Sequence, residues 1–128
     1  MIVGSNENAT KSRILMDLRN DFYTLTDFSK ISLDLTIAFK EFINKLKSKN
    51  ILLDFYFIPI NPLIFPEFQK KYPLVLEAEI LIRKFAYENK IKCLGNYNPS
   101  FLNLDESNFY DGYHLNSSGK SKFMNYLR

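Results

Sequence analysis

A chain of 128 residues with 46% hydrophobic content, twelve Phe and eight Tyr has the size and composition of one packed domain and lies far from the disordered class. Its 17 basic and 14 acidic residues leave a net charge of +3, with the lysines spread over helix surfaces (Lys40, Lys45, Lys47, Lys49, Lys84), so no basic stripe argues for nucleic acid as a partner. With four glycines there is no glycine-rich phosphate loop, and with Cys93 alone no internal disulfide can form.

In chain order, Met1-Ile2-Val3-Gly4-Ser5 has neither the basic region nor the long apolar run of a signal peptide. Ile2-Val3 reads as the tail of a strand entering a turn at Gly4-Ser5-Asn6, and residues 7–30 read as loop plus a short helix around Lys11 to Asn20. A helix is predicted over 33–49. Leu35, Phe39, Phe42 and Leu46 fall at the spacing of one buried face, Ala38 and Ile43 widen it, and Ser32 is placed to cap it. Ile51 to Ile58 is apolar on both faces, the pattern of a central parallel strand covered by helices on each side, with Asp54 expected to find a buried partner. The run to Ile60 contains Asp54 and Pro59 and is too short to span a bilayer, so the expectation is a cytoplasmic chain without a membrane segment.

Pro59 and Pro62 stop that strand, with Asn61 between them at its carboxyl end. A second helix is predicted from Pro73 to about Asn89, with Leu74, Ala78, Leu81, Ile82 and Phe85 inward. Ile91 to Leu94 reads as a short strand closed by Gly95, which makes Cys93 a buried thiol. Residues 96–113 form a long irregular segment, the kind of loop that carries a site. Asn116 or Ser117 then caps a last helix with Phe123, Met124 and Leu127 inward. Asp105-Glu106 reads as a solvated cap, and no ligand spacing supports a metal. This alternation is the rhythm of an open parallel α/β sheet, in which sites form beyond the carboxyl ends of strands. Asn61 and the 109–119 loop both follow strands and so point to one rim.

The only histidine, His114, stands three residues after Asp111, in Phe109-Tyr110-Asp111-Gly112-Tyr113-His114-Leu115-Asn116-Ser117-Ser118-Gly119. A tight turn brings that carboxylate to one ring nitrogen and fixes the tautomer, the arrangement of a general base and the group that orients it. The string Asp-Gly-Tyr-His-Leu-Asn-Ser-Ser-Gly, with Lys120 and Phe123 after it, resembles the C-terminal D-x-x-H block of the SGNH/GDSL hydrolase family. The resemblance implies a three-layer, flavodoxin-like parallel sheet and ester hydrolysis or acyl transfer on acylated carbohydrate or lipid, with no cofactor. By the same resemblance His114 is the base for a serine nucleophile and Asp111 supports it.

The family's G-D-S nucleophile block is not in this sequence. Ser5 is a serine after a strand-like start, and Gly4-Ser5-Asn6-Glu7 is similar to the family's G-x-N-D turn, on which Asn6 is an oxyanion donor. Two confident strands and one marginal one, against about five in the family sheet, lead to the expectation of an incomplete domain corresponding to the family's C-terminal part. Such a chain would self-associate or pair with the missing N-terminal part. Two other readings stay open: a non-catalytic remnant or partner-binding domain that keeps the Asp-His loop, and a cysteine enzyme using Cys93.

Overall fold

Ser32 starts the first long helix, α1 (Leu33–Ser48), as its position predicts. Its hydroxyl accepts from the Leu35 amide at 3.3 Å, and its carbonyl accepts from the Thr36 hydroxyl at 2.7 Å. The computed structural model describes residues 14–16, 19, 25 and 27–127, and residues 14–16 are helical. After α1 the chain runs through strand β1 (Asp54–Phe57), helices α2 (Phe65–Lys71) and α3 (Pro73–Glu88) and strand β2 (Lys92–Gly95). Two 3-10 turns follow at Pro99–Leu102 and Glu106–Asn108, and helix α4 (Ser117–Tyr126) closes the described chain.

The result is a mixed α/β architecture built on a parallel strand pair. β1 and β2 lie side by side in register, from Asp54 opposite Lys92 to Phe57 opposite Gly95. A parallel pair needs a crossover to return the chain to the same end, and α2 with α3 provide it. α1 and α3 both end with one residue of positive φ, Asn50 and Lys90, after which Ile51 and Ile91 donate back to Leu46 and Ala86.

Three apolar clusters hold the elements. Ile14, Ile60, Ile64, Phe65, Phe68 and Tyr72 pack behind the carboxyl end of β1. Leu102, Leu104, Phe109, Leu115 and Phe123 join the loop to α4. Ile43, Phe85, Ala86 and Ile91 join α1 to α3 and the strands.

Several sequence expectations are corrected. On α1 the buried residue is Ile43; of the expected stripe, Leu35 and Phe42 are 72% and 58% exposed, while Phe39 packs on Phe55 and Phe85 and Leu46 is half-buried. β1 is shorter than the apolar run and one-sided: Phe57 is buried and Phe55 partly so, while Asp54, Tyr56 and Ile58 face outward. Among the described residues β1 has a strand neighbour on one edge only, so it is not the central strand expected, and Tyr56 and Ile58 on its second face are exposed. Asp54 is therefore exposed rather than a buried carboxylate in need of a partner. On α3 the buried positions are Glu79, Phe85 and Ala86, with Leu81 exposed. On α4 Phe123 is inward as expected but Met124 is outward. Ser5 and Asn6 lie outside the described residues.

Candidate functional site

The 96–113 segment is built by local caps. Asp105 is the N-cap of the second 3-10 turn and accepts from the Ser107 amide and hydroxyl, while its own amide donates to the Asn108 side chain at 3.0 Å. Those bonds stabilise the ionised form and hold its carboxyl below the usual carboxylate range, the Ser107 hydroxyl first. Phe109 is fully buried and bridges antiparallel to Leu115, which closes residues 110–114 into a tight loop. The Tyr110 amide donates to the His114 carbonyl at 2.7 Å across its base. Asn116 caps α4 by accepting from the Gly119 amide at 3.0 Å.

Within this loop the Asp111 carboxylate does two jobs. Oδ1 accepts from the Tyr113 and His114 amides, each at 2.8 Å, and so shapes the turn. The same carboxylate meets His114 Nδ1 at 2.8 Å through Oδ2 and 3.0 Å through Oδ1. An ionised carboxylate can only accept, so in the neutral ring Nδ1 carries the proton and Nε2 keeps its lone pair. Asp111 is partly buried, with its side chain 17% exposed, while the His114 side chain is 74% exposed. The pair is thus anchored from below and open above.

Its place is the carboxyl-end rim of the strands, as the sequence order implies. Asn61, just beyond β1, donates from its main-chain amide to the Gly112 carbonyl at 3.0 Å and from Nδ2 to the Asp111 carbonyl at 3.0 Å. The Tyr113 ring packs edge-on against Phe68, 6.2 Å between centroids, within the cluster that contains Ile60 and Ile64. The Ile60 amide donates to the Tyr97 carbonyl at 2.9 Å and links the ends of the two strands.

Arg83 secures the rim from the other side. Its Nη2 donates to the Gly95 carbonyl at 2.7 Å and to Glu79 Oε1 at 2.5 Å, and its guanidinium sits 4.5 Å from the centre of the Phe57 ring. Burial, with Glu79 adding and Arg83 opposing, pushes the Tyr97 phenol upward. The sequence places Asn61 at the strand end without a role and singles out neither Arg83 nor Glu79. A polar residue flanked by Pro59-Ile60 and Pro62 was the available signal for the first.

No side chain among the described residues hydrogen-bonds His114 Nε2, and no serine, threonine or cysteine stands there as a bonded nucleophile. Cys93 lies on β2 opposite Phe55 and packs against the α1–α3 cluster. Burial pushes its thiol up, Arg83 offsetting in part, which disfavours the thiolate that a cysteine nucleophile needs. Among the described residues there is no group of three or more His, Cys, Asp or Glu placed to hold a metal ion, and no helix is long and apolar enough to cross a membrane. Comparison of the chain with protein-family models, curated proteins and solved structures gives no match.

Proposed function

We propose that Asp111 and His114 form the acid–base half of an ester-hydrolysing or acyl-transferring site of the SGNH/GDSL kind. The observation that carries this reading is the bidentate Asp111–His114 Nδ1 contact at the strand rim, which leaves Nε2 with its lone pair and, among the described residues, without a partner. In the proposed reaction Nε2 takes the proton of a serine hydroxyl as its oxygen attacks the ester carbonyl. The tetrahedral oxyanion is held by N–H donors, Asn6 among them by the resemblance. Collapse expels the alkoxide, which receives the proton from Nε2, and water then releases the acyl group by the same two steps. Asp111 stays ionised and stabilises the imidazolium. The substrate class on this reading is an acylated carbohydrate or lipid. β1 and β2 are then two strands of a three-layer, flavodoxin-like sheet of a longer family domain.

The test is labelling with a fluorophosphonate, read by peptide mass spectrometry, beside hydrolysis of a short-chain ester. Labelling at a serine, with hydrolysis lost in His114→Ala, supports the reading. An intact fold that neither labels nor hydrolyses defeats it for this chain. A second reading, a non-catalytic partner-binding domain, is favoured by the uncovered apolar side chains of α1: Leu35 and Phe42 are exposed on one face, and Leu33 and Ile37 on the opposite one. Self-association that Leu35→Lys abolishes, with no labelling, would select it.

A further inference from the structure

Asn61 is fully buried, and a buried asparagine persists only where its polar groups are bonded. Its bonds divide by direction. Both acceptors face the start of α2: Oδ1 takes the Leu63 amide at 2.9 Å, and the carbonyl takes the Ile64 and Phe65 amides at 3.1 and 3.0 Å. Two donors face the Asp-His loop, the main-chain amide to the Gly112 carbonyl and Nδ2 to the Asp111 carbonyl, each at 3.0 Å. One residue therefore grips two successive carbonyls of the turn that carries the pair.

The consequence follows from peptide planarity. The Gly112 carbonyl and the Tyr113 amide share one rigid plane, pointing to opposite sides. By holding that carbonyl, Asn61 aims the Tyr113 amide at Asp111 Oδ1, which it reaches at 2.8 Å. Holding the Asp111 carbonyl fixes the preceding plane in the same way. The carboxylate is thereby set at the one orientation in which its oxygens also meet His114 Nδ1. The packing of Tyr113 on Phe68 keeps the loop close but carries no such directional constraint, since ring contacts tolerate rotation.

We infer that Asn61 is the positioning residue of the Asp111–His114 pair: through two main-chain carbonyls it sets the carboxylate that decides which imidazole nitrogen carries the proton. It touches neither substrate nor the reacting nitrogen. The inference rests on the acid–base reading of the pair, but its test does not need activity. His114 is the only histidine, so the imidazole 15N resonances of the whole chain report one ring, and their separation reads the tautomer.

The test compares the wild-type chain with Asn61→Asp, Asn61→Ala and a control, Ile64→Ala, which loosens the same cluster without touching the grip. Once ionised, the Asn61→Asp side chain retains the acceptor for the Leu63 amide but has no donor for the Asp111 carbonyl; burial raises its pKa, so its spectra are taken at alkaline pH. Spectra are recorded at low temperature with an osmolyte, where each variant is folded by far-UV circular dichroism. The expected result is a dominant Nδ1–H tautomer in wild type and in Ile64→Ala, falling to a minor form in both Asn61 variants. Where ester hydrolysis is measurable, kcat should fall about 10- to 100-fold in Asn61→Asp with KM unchanged. Folded Asn61 variants with the wild-type tautomer, or an Ile64→Ala control that loses it equally, overturn the inference. A chain that never hydrolyses an ester but shows the tautomer shift sinks the proposed reaction and leaves Asn61 in its role.

Discussion

Substitution of Asp111 by alanine and by asparagine should have opposite rankings in stability and in rate. The carboxylate accepts from two main-chain amides at 2.8 Å and also meets the exposed imidazole. Asp111→Ala strands both amides in a half-buried turn. At roughly 1–1.5 kcal/mol net for each hydrogen bond in a solvent-accessible turn, it should cost about 2–3 kcal/mol. In Asp111→Asn the amide oxygen can keep both donors, so what is lost is the charge of the contact with His114. With the His114 side chain 74% exposed, that contact contributes at most about 1 kcal/mol. For a urea slope of about 2 kcal/mol/M, the unfolding midpoint should drop by about 1–1.5 M in the alanine variant and by about 0.5 M or less in the asparagine variant. Rates run the other way on the proposed mechanism. In Asp111→Asn the new side-chain amide presents N–H to Nδ1, drives the proton onto Nε2 and removes the base, which should lower kcat about 10²- to 10⁴-fold. Alanine leaves both tautomers accessible and should lose less. An asparagine variant as unstable as the alanine variant, or one that hydrolyses at the wild-type rate, would refute this reasoning.

Three further outcomes follow from the same geometry. A Cβ at Gly119 would lie 2.0 Å from the Asn108 carbonyl oxygen, so Gly119→Ala must push α4 off the loop and should cost about 3 kcal/mol; a urea midpoint at the wild-type value would contradict it. The Asp105 cap has a folded pKa below its ordinary value of about 4, so its stabilisation is present above that value and is lost only as pH falls through the lower folded one. The amide protection factors of Ser107 and Asn108 should therefore hold at pH values near 4 and fall below, and uniform loss already at about pH 5 would speak against the cap. Cys93, with its thiol pushed up by burial, should react with iodoacetamide near neutral pH more slowly than a free cysteine, and His114→Ala should leave that rate unchanged.

What was legible in the sequence was what is local. Ser32 and Asn116 cap α1 and α4, and Pro73 opens α3, because a cap or an N-terminal proline acts within one turn of chain. The Asp111–His114 contact was legible for the same reason, since three residues of turn suffice to make it. The Asn61–Asp111 contact joins residues 50 apart, and no periodicity encodes such a pairing. Coverage was illegible too. Leu35, Phe39 and Phe42 do lie on one apolar face, but periodicity marks a face as apolar without naming its cover. The structure leaves Leu35 and Phe42 in solvent while burying Ile43. Likewise the continuous run around β1 signals two apolar faces, of which the described chain covers one.

The uncovered faces and the incomplete chemistry bear on one another. An imidazole whose side chain is 74% exposed works in a high-dielectric setting, where the attraction of Asp111 for a developing imidazolium is weak. Hydrolytic sites gain most of their electrostatic stabilisation once water is excluded and donors are fixed. Among the described residues the pair therefore lacks two things on the acylation reading, a hydroxyl at Nε2 and a cover that dries the ring. Both must arrive on the open side of His114, since Asp111, Asn61 and Tyr113 already fill the side toward the strands. A single segment bearing a serine and seated over that rim would meet both needs at once. A cover without a hydroxyl would instead bury a neutral, Asp-bound imidazole and leave a structural loop. The two readings of this chain thus separate at one atom: whether Nε2, when covered, meets an O–H or only carbon.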